Sequence, residues 1–179
     1  METKNHVFIA TSIDGYIADK NGSIEFLQTI PNPENLDFGY NAFIKKMDAI
    51  VMGRGTFETV LEFGISWPYQ IPVFVVSSRI QDVSDDLARK VEIVNGSPTE
   101  ITQMMTERGF TNIYIDGGIT IQRYLQEDII DEMIISTIPV ILGGGTSLFG
   151  ELTDLLEFEW ISSEIFLNAI TQVKYRRKR

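Results

Sequence analysis

Three short segments carry glycine, hydroxyl or guanidinium groups in patterns suited to holding an anion. In Val51-Met-Gly-Arg-Gly-Thr-Phe-Glu58, an apolar run ends at Gly53 and a helical pattern opens at about Thr56. Gly53 and Gly55 let the backbone approach a ligand closely, and the new helix offers free N–H groups. Arg54 and Thr56 add a guanidinium and a hydroxyl. The same stretch also reads as a strand–helix turn with a surface arginine. In Tyr114-Ile-Asp-Gly-Gly-Ile119, a strand runs through Gly117-Gly118 into a helix that includes Thr120, a second close-approach point. In Val75-Val-Ser-Ser-Arg79, Ser77, Ser78 and Arg79 follow an apolar strand and suit a phosphate monoester. Taken alone, that segment also reads as a polar loop.

Carboxylates supply the second kind of chemistry. Asp37 falls in the first turn of a helix expected over 35–47, where the helix dipole favours negative charge. It is either a helix-start acid or one that anchors a nitrogen heterocycle and organises proton delivery to it. Asp14 stands in Ala10-Thr-Ser-Ile-Asp-Gly-Tyr-Ile-Ala18, where Gly15 permits a turn and Asp14 can accept from nearby amides. Pro139-Val-Ile-Leu-Gly-Gly-Gly-Thr146 reads equally as a hinge or a binding loop.

The elements that must position these groups alternate. Strands are predicted at 6–11, 48–53, 71–76, 91–94, 112–116 and 132–138, as apolar runs rich in Val and Ile of the kind covered on both faces in parallel sheets. Helices are predicted at 35–47, 56–63, 97–108 and 120–126. The last quarter differs: 155–161 and 165–175 read as antiparallel strands of a hairpin. The expectation is a single α/β domain over 1–179 with a parallel core and an antiparallel edge.

Composition narrows the function classes. Of 179 residues, 44% are hydrophobic, which fits one globular domain. No cysteine is present, which removes thiol nucleophiles and thiolate metal sites, and His6 is the single histidine, which removes His-pair metal motifs. No metal site is expected. Lys and Arg number 15 against 25 Asp and Glu, a net charge of −10, so neither nucleic acid nor an anionic membrane is an expected partner. No stretch reads as a leader or a membrane span, and a cytoplasmic protein is expected. Lys174 to Arg179 holds five basic residues in six; it reads as a solvated strand end or as a tail that docks on an acidic neighbour.

The order of these motifs over about residues 5 to 175 resembles the dihydrofolate reductase superfold. The nearest likeness is to the reductase domain at the C-terminus of the bifunctional riboflavin-biosynthesis deaminase-reductase. Met52-Gly-Arg-Gly-Thr-Phe-Glu58 is similar to the dihydrofolate reductase motif. Ser12-Ile-Asp-Gly15 and Pro139-Val-Ile-Leu-Gly-Gly-Gly145 are similar to the riboflavin-type reductases. The resemblance implies a three-layer dihydrofolate reductase-like fold with a mixed, mostly parallel sheet of about eight strands and an antiparallel C-terminal hairpin. It implies NADPH as cofactor and a homodimer. Gly53, Arg54, Gly55 and Thr56 would hold the cofactor phosphates, with Gly117, Gly118, Ile119 and Thr120 on the other side. Ser77, Ser78 and Arg79 would face the adenosine ribose and its 2′-phosphate. Ala10 and Thr11 would contact the nicotinamide amide, with Ile17 packing nearby. Asp37 stands sixteen residues before Gly53, the separation used by the pterin-binding acid of dihydrofolate reductases.

Two departures bear on the substrate. Trp67 occupies the position where a folate reductase carries its tail-binding arginine, and no arginine lies between Arg54 and Arg79. The arginine-bearing segment of the riboflavin reductases is replaced by Phe57-Glu-Thr-Val-Leu-Glu-Phe-Gly64. Phe26, Phe38, Tyr40 and Trp67 are therefore expected to form an aromatic pocket for a small, flat heterocycle without a firmly held anionic tail. The expected reaction is hydride transfer from NADPH, of the 5-amino-6-(5-phosphoribosylamino)uracil reductase or dihydrofolate reductase type. Asp37 or Asp14 would organise the proton. The alternatives are a dihydrofolate reductase proper, or a non-catalytic NADPH-binding protein that kept the fold.

Overall fold

In the computed structural model, which describes residues 3–80 and 82–179, eight strands form one mixed sheet. In chain order the elements are β1 (Lys4–Ser12), β2 (Tyr16–Ala18), α1 (Tyr40–Ile44), β3 (Ala49–Gly53), α2 (Arg54–Glu62), β4 (Val73–Val76) and β5 (Val91–Val94). They continue with α3 (Pro98–Glu107), β6 (Asn112–Asp116), α4 (Gly118–Gln126), β7 (Glu132–Ile138), β8 (Thr146–Ser147), β9 (Phe158–Phe166) and β10 (Ile170–Arg177). The sheet order is β5-β4-β3-β6-β1-β7-β10-β9, and β2 with β8 makes a small separate ribbon. Strands β5 through β7 run parallel, and β10 joins β7 and β9 antiparallel. This is the dihydrofolate reductase-like α/β fold.

The apolar runs are buried on both faces, as parallel strands require. Ala49, Ile50, Val51 and Met52 have no exposed surface at all. Val51, Ile113 and Ile115 face α3 and α4 through Ile101, Met105 and Ile121. Ile50, Met52 and Tyr114 face α1 and α2 through Phe43 and Phe57. Each such aliphatic side chain contributes about 2 kcal/mol by leaving water. The three layers follow from this alternation.

Two expected elements take a different form. The helix expected over 35–47 is reduced to Tyr40–Ile44. Asn35, Phe38 and Gly39 before it have positive φ. Polar side chains compete with the helix ladder there: Asn32 exchanges hydrogen bonds with the Leu36 backbone, and Asp37 accepts from the Gly39 and Asn41 amides. Asp37 is thus in the turn that precedes a helix, not in its first turn. The hairpin is also displaced. Its strands continue through 162–164, pair up to Phe166 and Ile170 and turn over 167–169, where Leu167 and Asn168 have left-handed φ of 54° and 53°.

The basic C-terminal segment lies along the amino edge of the sheet. Arg177 pairs with Asp128 at 2.6 Å and Arg179 with Asp131 at 2.5 Å. Lys174 and Arg176 both reach Glu132, and Lys178 reaches Glu157. The acidic neighbour is the chain itself. Among the described residues no helix is long and apolar enough to cross a membrane.

Candidate functional site

At the carboxyl ends of β1, β3, β4 and β6, a cleft of about 720 Å3 opens, the place where parallel sheets collect ligands. One side is made by two strand–helix turns on neighbouring strands. α2 starts directly after Gly53 and α4 directly after Gly117, and neither has a side-chain cap. The contrast with α3 is informative. Away from the cleft, Ser97 and Glu100 close a complete capping box on that helix. The first N–H groups of α2 and α4 are therefore left for whatever enters the cleft.

The two turns interlock. A Cβ on Gly53 would lie 2.7 Å from the Thr120 hydroxyl, and one on Gly117 only 2.2 Å from the Thr56 hydroxyl. Gly117 also has φ 92°, which L side chains rarely adopt. Each threonine thus occupies the space that its partner's missing side chain leaves open. Gly55 faces open space instead. Arg54 and Arg123 bring positive charge to this side. Arg54 is held by Glu58 through two hydrogen bonds of 2.8 and 2.9 Å.

The model of the RibD C-terminal domain matches residues 6–171. The chain belongs to the RibD C-terminal domain family. A solved structure from Shewanella sp. PV-4, whose name assigns it provisionally to riboflavin biosynthesis, is 48% identical, with a TM-score of 0.96 over 99% of this chain and 100% of that one. Two more distant structures share the fold. One is a diaminohydroxyphosphoribosylaminopyrimidine deaminase/5-amino-6-(5-phosphoribosylamino)uracil reductase from Thermotoga maritima. It is 15% identical with a TM-score of 0.75, covering 99% of this chain and 57% of that one. The other is dihydrofolate reductase from Enterococcus faecalis complexed with NADP(H), 16% identical with a TM-score of 0.67, covering 98% and 97%. By family and fold this RibD C-terminal domain is a reductase-type protein.

The cleft of this RibD C-terminal domain gathers part of the residues expected from sequence. Ala10, Ile17, Gly53, Arg54, Gly55 and Thr56 line it, as do Gly117, Gly118, Ile119 and Thr120. Thr11 is buried in β1 behind the lining. Ser77, Ser78 and Arg79 follow Val76, the last lining residue of β4. The Ser77 hydroxyl accepts the Arg79 and Ile80 amides at 3.0 Å and so shapes that turn, while Ser78 and Arg79 are exposed.

The aromatic expectation needs correction. Of Phe26, Phe38, Tyr40 and Trp67, only Tyr40 lines the cleft. Phe26 is buried against Ile138 and Ile170 beneath the antiparallel strands, and Phe38 stacks edge-on with Phe166 at 5.4 Å. Trp67 sits behind the lining, packed on Phe57 and Tyr69 at 5.8 and 5.3 Å. The rings that do line the cleft with Tyr40 are Phe8, Phe63, Tyr69 and Tyr114.

The acids are also redistributed. Asp37 is exposed and outside the lining. Asp14, likewise exposed, accepts from Ser12 and from the Leu142 and Gly143 amides, tying β1 to the triple-glycine loop. These hydrogen bonds hold both carboxyls below their usual range. Among the described residues the one carboxylate in the lining is Asp116, at the end of β6. Burial raises it to about 6, against the Gly117 amide, which favours its ionised form, while the Tyr114 hydroxyl donates to the Phe8 carbonyl at 3.0 Å. The Gly117 N–H donates to it at 2.9 Å. Burial and the nearby Asp116 push Tyr40 up to about 12, so it stays a neutral hydroxyl. The signal for Asp116 was in the sequence: it ends a strand, precedes Gly-Gly and shares a face with Tyr114 at the period-two spacing.

Proposed function

We propose that this chain reduces a planar nitrogen heterocycle of the aminopyrimidine or pterin class, with NADPH as hydride donor. The observation that carries the reading is the joining of two uncapped helix N-termini with Asp116 and a tyrosine wall in one cleft. The residues fit a dinucleotide. The free N–H groups of α2 and α4, with Arg54 and Arg123, suit a diphosphate. Ala10, Ile17 and Ile119 offer an apolar bed for a nicotinamide ring, and Ser78 and Arg79 stand beyond Val76 for a 2′-phosphate. The NADP(H) complex of the Enterococcus faecalis relative supports this assignment. When bound, the dinucleotide supplies the hydride.

The chain's own part is alignment and proton control. Asp116 titrates near 6, so it holds a proton for a fraction of the time near neutrality and can pass it to a ring nitrogen. Phe8, Tyr40, Tyr69 and Tyr114 give the ring an aromatic wall and exclude water. NADPH oxidation against a panel of C=N and C=O heterocycles tests the reading. At least one ring should be reduced, and Asp116→Asn should lower that turnover by about 100-fold or more while leaving NADPH affinity nearly intact. Bound NADPH that no ring oxidises, or full turnover in the variant, would overturn it.

A further inference from the structure

One wall of the cleft stands on a slight element. Ile17 and Ala18 of β2 and Thr146 of β8 line it, and these two strands form a ribbon of their own outside the eight-stranded sheet. Two residue pairs join them, Tyr16 with Ser147 and Ala18 with Thr146, and the register shifts between the pairs. A two-stranded ribbon this short is marginal by itself. It nevertheless sits tightly on the start of α4. A Cβ on Gly118 would lie 2.8 Å from Ile17 Cδ1 and 3.2 Å from Thr146 Cγ2. The lead into β8 is Gly143-Gly144-Gly145, all with positive φ, a stretch that loses much conformational freedom when ordered.

The carboxylate of Asp14 ties the roots of both ribbon strands together. Its two oxygens accept the Leu142 amide at 3.1 Å and the Gly143 amide at 2.8 Å, and the Ser12 hydroxyl donates to it at 2.6 Å. Ser12 Oγ in turn accepts the amide of Tyr16, the first residue of β2, at 3.0 Å. Two backbone hydrogen bonds, Ile13 N–H to the Val140 carbonyl and Leu148 N–H to the Gly15 carbonyl, run beside this link. Asp14 itself is exposed and outside the lining, whereas a proton donor must reach the reacting atoms. We propose that Asp14 is a positioning residue: it latches the β2–β8 ribbon against the start of α4 and so sets the fit of the cleft around its ligand. The inference rests on the reductase reading for the identity of that ligand, a nicotinamide dinucleotide.

Two measurements on the full chain test the latch. In hydrogen exchange, Asp14→Ala should speed exchange over 139–148 by about tenfold or more and leave α3 unchanged. In NADPH titration, Asp14→Ala should weaken binding by about tenfold. Asp14→Asn keeps one acceptor oxygen and should fall between wild type and Asp14→Ala in both measurements. It carries the test alone if Asp14→Ala does not fold. Unchanged exchange in the variants, or faster exchange with wild-type NADPH affinity, would overturn the proposal. So would a collapse of turnover in Asp14→Asn at unchanged NADPH affinity, which is the behaviour of a proton donor. The two readings fail separately. NADPH binding that ignores Asp14 overturns this inference alone. A wild type that binds no NADPH overturns the reductase reading, and hydrogen exchange still decides whether Asp14 holds the ribbon.

Discussion

The two edges of the same sheet treat charge in opposite ways. At the amino edge, five basic residues of the C-terminal segment meet Asp128, Asp131, Glu132 and Glu157, and Asp48 accepts three hydrogen bonds from Thr111 and Asn112. At the carboxyl edge, two helices begin without side-chain caps, and among the described residues Asp116 makes no ion pair. The first arrangement is what stability alone would select. The second leaves polar groups unsatisfied in one place, and such groups point to a ligand rather than to the fold. A protein that completes a capping box on α3 could have completed others on α2 and α4.

Several substitutions can break that contrast. The largest effect is expected for Gly117→Ala, which forces a side chain against Thr56 and into a conformation suited to glycine. A loss of about 3 kcal/mol is expected from the strain and the overpacking, read by urea denaturation. Adding Thr56→Ala should recover part of it, and a fully stable Gly117→Ala would contradict the interlocked turns.

Asp116→Asn should move the other way. Its folded carboxyl titrates near 6 against 3.8 in the unfolded chain. Between those values the unfolded state releases its proton first, so wild-type stability falls as pH rises through this window. Above it the penalty is complete, on the order of 3 kcal/mol. The variant should therefore be more stable than wild type at neutral pH and equal to it below about pH 4. A variant no more stable at neutral pH would show that Asp116 is already compensated. Stability gained together with turnover lost is the behaviour of a site residue.

Smaller effects are expected at the amino edge. Arg177→Ala should cost about 1 kcal/mol, less in high salt, and Lys178→Ala under about 0.5 kcal/mol. Neither should change nucleotide affinity. A change there would mean that the two edges are coupled.

Much of this was legible in the residues. The Val- and Ile-rich runs locate the parallel strands, Ser97 and Glu100 mark the start of α3, and the paired glycines mark both turns of the cleft. The helix expected before β3 was not legible, because Asn32 and Asp37 can serve either a helix start or the local turns they actually close. Asp116 stood inside a quoted motif, but its place in the cleft follows from the sheet order. Only when β6 lies between β3 and β1 do Phe8, Tyr40 and Tyr114 line one cleft with it. The basic tail shows the converse: its charge was plain, whereas its partners depend on β10 lying beside β7.

The most direct test of the reductase account is a fluorescence titration of the wild-type protein and Arg54→Ala with NADPH and NADH. Tight NADPH binding, weaker NADH binding and a roughly tenfold or greater loss in the variant are expected. If neither nucleotide binds the wild type, the open helix starts and the glycine turns are structural alone, and the account fails.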